Sequence, residues 1–269
     1  MEQHRIIELE GHKVHYRDEG RDNKHTVVFL HGFMQSLDVW SSYVLTYMHH
    51  LRVITIDLPG HGMTDCFGET HTMDFMARTV HEVLVSAGVD QCVMIGHSMG
   101  GYVALAFAEM YPYTLRGLGL ISSHALADSA EHKAYREDVC RQVADNRAKF
   151  TVDFVPRLFC PSRRGDLYQE IKDLSDQCLE TSAAAITAAQ RGMAERPSRI
   201  GVLKSLEVPI LFIYGKDDCR LPIEIAVTQA MIPHHSEMLL LDKVGHMAFM
   251  EERDYVKPRI KNFVDTCYY

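Results

Sequence analysis

The 269-residue chain alternates short, continuous apolar runs with longer stretches of helical period. Residues 26–30, 51–56, 92–95, 115–121, 209–214 and 238–241 are apolar without alternation, the pattern of strands buried on both faces of a sheet. Ahead of them, residues 5–10 and 13–18 flank Gly11 and predict an antiparallel hairpin. Between the strands, Trp40, Tyr43, Val44, Tyr47 and Met48 fall on one helical face, with Asp38 placed to cap it. Residues 73–87 place Phe75, Met76, Val80, Val83 and Leu84 on one face, and Gly88 ends that helix. After residue 121 the alternation stops. Residues 122–205 are helical in period and charged, with helices over 131–150, 154–159, 166–180 and 183–195 and a turn at 161–165. Strand and helix then resume, with helices over 223–232 and 254–267 and Pro258 either in or near the first turn of the last or kinking it. This order predicts an α/β protein: a mostly parallel sheet with helices on both faces. Its core comprises residues 1–121 and 206–269, and residues 122–205 form an inserted helical cap over the carboxyl end of the sheet.

Composition narrows the function classes. Hydrophobic residues make up 46% and charged residues 24%, enough for a sizeable core. A net charge of −8 supplies no basic face for a phosphate backbone, so no nucleic-acid partner is expected. No run of about 18 apolar residues occurs, so no membrane span is expected, and Met1 to Arg5 lead into no apolar signal segment. The seven cysteines are scattered without a C-x-x-C pair and read as reduced thiols of a cytoplasmic protein. Sixteen histidines raise a metal hypothesis at His49-His50, His234-His235 and His12-x-x-His15, but none sits in a ligand pattern with cysteine or carboxylate partners. No metal or cofactor is implied.

The chemistry concentrates at Gly96-His97-Ser98-Met99-Gly100, a G-x-S-x-G sequence between an apolar run and the alanine-rich helical stretch 102–110. Strand, sharp turn and helix is the setting of a nucleophile elbow, with small residues where the two elements cross and the serine at positive φ. A serine hydroxyl is a weak nucleophile at neutral pH; it needs a base, an orienting acid and donors for the oxyanion. In the chain order Ser…Asp…His, Asp217 or Asp218 follows one late strand and His246 follows the last. The competing readings are an ordinary strand-helix turn at Ser98 and a surface or capping role for His246.

His31-Gly32-Phe33, Asp57-Leu58-Pro59-Gly60-His61-Gly62, Gly96-His97-Ser98-Met99-Gly100-Gly101 and the Asp218 and His246 loops occur in the order of the α/β-hydrolase superfamily. The chain resembles its small cap-bearing serine esterases and lactonases. The resemblance implies that Ser98 attacks a carbonyl, His246 moves the proton and Asp218 orients the histidine, with the backbone N–H groups of Phe33 and Met99 as the oxyanion hole. The family spacing G-x-x-D-x-x-x-P fits Gly215, Asp218 and Pro222 and so favours Asp218 over Asp217. By the same mapping the Asp57 to Gly62 segment shapes a loop. His31, His97, Phe154, Leu158, Arg191 and Met247 are the candidate pocket residues, with Phe159 and Met193 adding apolar surface. Among the cap cations, Arg191 follows an alanine-rich face and is the candidate to clamp a substrate carboxylate, although acidic neighbours make a solvated face the simpler account of most of these charges.

The expected activity is hydrolysis of a small or medium carboxylic ester, or a lactone, through an acyl-serine. Three alternatives share the scaffold: a C–C bond hydrolase of diketone ring-cleavage products, a triad-bearing lyase and a ligand receptor. Relatives of the lyase type carry arginine where this chain has Tyr102. Halide release and epoxide opening use an aspartate where Ser98 stands.

Overall fold

The computed structural model describes residues 4–269. Met1, Glu2 and Gln3, on which part of the N-terminal reading rests, lie outside the described residues. The strands are β1 (His4–Leu9), β2 (His12–Glu19), β3 (Thr26–Leu30), β4 (Arg52–Ile56), β5 (Cys92–His97), β6 (Leu115–Ile121), β7 (Ile210–Gly215) and β8 (Ser236–Leu241). They form one sheet in the order β1-β2-β4-β3-β5-β6-β7-β8. β1 and β2 pair antiparallel, β2 meets β4 antiparallel, and every later pair is parallel.

Burial follows position in the sheet. Every residue of β3, β5 and β7 is buried, whereas edge strand β1 alternates between exposed and half-buried positions. Continuous apolar runs mark the strands covered on both faces, as a parallel sheet requires.

The helices are α1 (Ser41–Tyr47), α2 (Met73–Ala87), α3 (Met99–Met110), α4 (Ala130–Phe154), α5 (Tyr168–Leu179), α6 (Ala183–Glu195), α7 (Ile200–Ser205), α8 (Ile223–Ala230), α9 (Ala248–Glu251) and α10 (Arg253–Tyr268). The span expected for α2 is the one observed, and Gly88 closes it in the left-handed conformation at φ 66°. Asp38 does not cap the first helix. A 3₁₀ turn at Leu37–Trp40 precedes α1, and the Ser36 hydroxyl caps it by accepting from Asp38 N–H. The short helices α7 and α9 carry too few periodic positions to be read from the sequence. Pro258 lies within α10, beyond its first turn.

Between β6 and β7 every element is helical, from α4 to α7. α4 packs on α5 and α6, and α6 seats this insertion on the core through small residues. The Ala188 carbonyl accepts from His71 N–H at 2.9 Å, and a Cβ on Gly192 would lie 1.7 Å from the His71 carbonyl oxygen. No described helix is long and apolar enough to cross a membrane.

Candidate active site

β5 runs directly into the serine turn. Ser98 takes φ 51° and ψ −114°, outside the regular helix and strand regions. A Cβ on Gly96 would lie 2.3 Å from the Gly100 carbonyl oxygen, and one on Gly100 would lie 2.4 Å from that of Leu30. Only glycine lets α3 cross β5 and β3 this closely. Ser98 N–H donates to the Ile121 carbonyl at 2.9 Å, and the Ser98 carbonyl accepts from the Ser123 hydroxyl at 2.8 Å. The turn is thereby pinned to the end of β6, and it holds the Ser98 hydroxyl at the carboxyl end of the sheet.

His246 comes from the loop after β8. Its Nε2 lies 2.9 Å from Ser98 Oγ, and its Nδ1 lies 3.0 and 2.8 Å from the two carboxylate oxygens of Asp218. Asp218 Oδ1 also accepts from the backbone N–H groups of Arg220 and Leu221, at 2.8 and 3.2 Å, which fixes the carboxylate in its loop. Asp217 points elsewhere and is exposed. The histidine loop is held from several sides. His97 Nε2–H donates to the His246 carbonyl at 3.0 Å, and His246 N–H donates to the Leu158 carbonyl at 2.7 Å. Burial holds His97 well below the ordinary imidazole pKa, keeping it a neutral strut.

Glu251 completes this bracing. Its buried carboxyl accepts from Gly245 N–H at 2.9 Å and from Cys160 N–H at 3.0 Å, tying the histidine loop to the helical insertion. Burial pushes its pKa up, against the opposing pull of those donors. On the other side, the Asp57 carboxylate accepts from His15, Leu37 N–H and Met63 N–H at 2.7, 2.8 and 2.9 Å. Burial opposes its ionisation, but these donors and the neighbouring His31 outweigh that and hold its pKa low. Its bonds organise the loop that begins at Asp57.

Ser98, His97 and His246 open into a cavity of about 290 Å³ between the sheet and the insertion. Phe33, Phe154 and Leu158 form an apolar side, with the Phe33 and Phe154 rings edge to face at 5.9 Å. Tyr102, His124, Arg136 and Gln190 form a polar side. Met99 N–H is the first donor of α3, and among the described residues neither it nor Phe33 N–H meets a backbone acceptor.

A family model for the alpha/beta hydrolase family matches residues 27–257. The chain belongs to that family. Among solved structures, a thermophilic esterase from Thermogutta terrifontis, with malate bound, superposes on this α/β hydrolase with a TM-score of 0.92 at 29% identity, covering 99% of this chain and 100% of that one. Among curated proteins, the 2-hydroxy-6-oxononadienedioate/2-hydroxy-6-oxononatrienedioate hydrolase of Paraburkholderia phymatum is 25% identical over 273 residues, covering 94% of this chain and 91% of its own length. Epoxide hydrolase 1 of Caenorhabditis elegans is 23% identical over 288 residues, covering 97% of this chain and 70% of its own.

Three residues expected in the pocket of this α/β hydrolase lie outside the cavity. Arg191 is exposed and pairs with Glu69 at 3.6 Å, because the alanine face beside it turns onto the core and leaves residue 191 to solvent. His31 is fully buried beneath the loop, where its Nε2 accepts from Leu58 N–H at 3.0 Å and its Nδ1–H donates to the Gly32 carbonyl at 2.8 Å. Met247 is buried against the Gln35 amide at 3.5 Å. Phe159 is likewise buried in the core, while Met193 does line the cavity. Two other arginines line the cavity: Arg220, exposed at its rim, and Arg136 of α4, which is buried and lies among acidic neighbours in the sequence. One signal marks it: residues 136, 139 and 143 share a helix face, and Val139 and Val143 are buried.

Proposed function

We propose that this α/β hydrolase is a serine hydrolase that cleaves a small or medium carboxylic ester, or a lactone, through an acyl-serine. The observation that carries this reading is the 2.9 Å approach of Ser98 Oγ to His246 Nε2, with Asp218 on the opposite ring nitrogen, at a turn where the serine is held at positive φ. In the reaction, His246 Nε2 takes the Ser98 proton as Oγ attacks the carbonyl carbon. Asp218 accepts from Nδ1–H, setting the tautomer that leaves Nε2 free to do so. The oxyanion forms where the N–H groups of Phe33 and Met99 lack other acceptors, the latter aided by the positive end of the α3 dipole. Collapse releases the alcohol with the proton from His246, and water then repeats the sequence on the acyl-serine. In a lactone both products remain one molecule.

The helical insertion serves as a cap that narrows access and excludes water from the cavity. A hydroxyl at the elbow supports acyl transfer rather than an epoxide opening that relies on a carboxylate at this position. The test is a panel of aryl esters of graded acyl length, with lactones, run beside a fluorophosphonate whose adduct is located by peptide mass analysis. Turnover with labelling at Ser98 is expected. Labelling at another residue, or turnover retained by Ser98→Ala, overturns the mechanism.

A further inference from the structure

The polar side of the cavity, together with the cluster behind it, carries more buried positive charge than its neighbours neutralise. Arg136 and Arg196 both pair with one carboxylate, Asp128, and all three side chains are nearly or fully buried. Buried ions are expected to be matched in charge, so a cluster of two guanidiniums and one carboxylate favours a further anion. The donor inventory agrees. Arg136 Nε and Nη2 donate to Asp128, and Nη1 donates to Gln190 Oε1 at 3.0 Å and to the thioether of Met193 at 3.3 Å. The second hydrogen of Nη2 has no strong acceptor, and a thioether is a weak one that an oxygen readily replaces. Arg196 Nε and Nη2 are buried without partners, and its guanidinium lies 4.0 Å from the centroid of the Tyr102 ring.

Two hydroxyls complete the picture. Leu126 N–H donates to His124 Nδ1 at 3.2 Å, so His124 carries its hydrogen on Nε2 and donates it to the Tyr102 oxygen at 3.3 Å. Burial and the charge of Arg196 hold His124 at a pKa of about 3, which keeps it in that neutral form. The Tyr102 hydrogen is then left for an acceptor in the cavity. Ser122, 2% exposed just after β6, also lines the cavity, and its buried Oγ has no partner. The acidic Glu131 lies at the exposed rim and does not neutralise the buried cluster.

We propose that this wall is a carboxylate subsite, in which Arg136, Gln190, Tyr102 and Ser122 receive an anionic group of the substrate while Ser98 faces the scissile carbonyl. The preferred substrates are then esters or lactones carrying a free carboxylate a few bonds from the carbonyl, such as half-esters of dicarboxylic acids. This inference rests on the serine-hydrolase reading, and it deepens that reading by naming the substrate class.

The test compares half-esters with neutral isosteres: monomethyl succinate, glutarate and adipate against methyl esters in which the carboxylate is replaced by methyl. Charged hydrogen bonds of this kind predict a preference of about ten- to a hundredfold in kcat/KM for the best half-ester. In Arg136→Gln that ratio is expected to collapse towards one, with partial recovery in Arg136→Lys; fluorophosphonate labelling of Ser98 reports whether each variant is folded. Glutarate binding is measured separately by calorimetry on the wild type and on Ser98→Ala, with glutaramide as the neutral control. Binding of glutarate, but not glutaramide, to both proteins supports the subsite even if Ser98 proves not to be the nucleophile. Equal or better turnover of the neutral esters, or no glutarate binding in either protein, overturns the subsite while leaving the serine-hydrolase reading standing. Should Arg136→Gln fail to fold, the wild-type and Ser98→Ala arms decide the matter.

Discussion

A single added methyl at Gly100 would sit 2.4 Å from the Leu30 carbonyl oxygen, whereas in the helical insertion Gly165 and Gly201 have nothing within 4 Å of such a methyl, and tight packing is confined to Gly192, where α6 meets the core. Polar side chains beside the cavity differ too. Between Thr26 and His97 at their ends, the strands behind the elbow, β3 and β5, are apolar, while the insertion buries Arg136, Gln190 and Arg196 next to the cavity. The sheet core holds the Ser98 turn in place by close backbone packing, with almost no freedom to vary. The insertion holds side chains of mixed character over the opening. On the proposed reading, mutations in the core therefore remove the reaction or the fold, and mutations in the insertion shift preference among substrates.

The largest break in this contrast is at the proposed nucleophile. Ser98→Ala is expected to lower ester kcat/KM by at least about 10⁴-fold, with the thermal midpoint nearly unchanged because only one hydroxyl is lost; steady-state kinetics with calorimetry checks both. Next is Gly100→Ala, expected to cost more than about 3 kcal/mol or to abolish folding, since a backbone clash has no side chain to give way. Chemical denaturation measures it, and a near-neutral result would mean that the α3–β3 crossing is looser than described.

Acid sharpens the comparison, because neutral histidines are concentrated around the core loops. Burial lowers His61 and His124 to about 3 and His71 to about 4, and depresses His31 and His97 as well. Their folded pKa values lie below the unfolded value of 6.5, so the unfolded chain binds more protons in between. This contribution to stability is complete above about pH 6.5 and falls as pH drops below it, by about 1.4 kcal/mol per pH unit for each histidine that stays neutral in the fold while the unfolded chain takes up its proton. Urea melts at pH 7 and 5 test this; equal midpoints would contradict it.

Glu251 links the two regions. Glu251→Ala leaves the N–H groups of Gly245 and Cys160 without acceptors, and a loss of about 2–4 kcal/mol is expected, together with a lower kcat as the His246 loop loosens. Glu251→Gln, which keeps one acceptor oxygen, should fall between. The smallest effect is expected at Gly201→Ala, inside α7 with open space around it, where stability should rise by up to about 1 kcal/mol and kinetics should stay unchanged.

The sequence by itself determined the strands, the elbow and the order in which Ser98, Asp218 and His246 appear, because each depends on local signals: continuous apolar runs, glycines flanking a serine, and acidic and imidazole side chains just past a strand. It also separated the helical stretch after β6, since the strand pattern simply stops there. Tertiary structure alone decided which insertion side chains face the cavity. Arg191 and Arg136 are both cations of the helical stretch, and only the packing separates them, as α6 settles its alanines on the core and α4 turns its buried face inward. A helix rotates its side chains by about 100° per residue, so the direction a residue points depends on which face the neighbouring elements claim, and that contact lies far away along the chain.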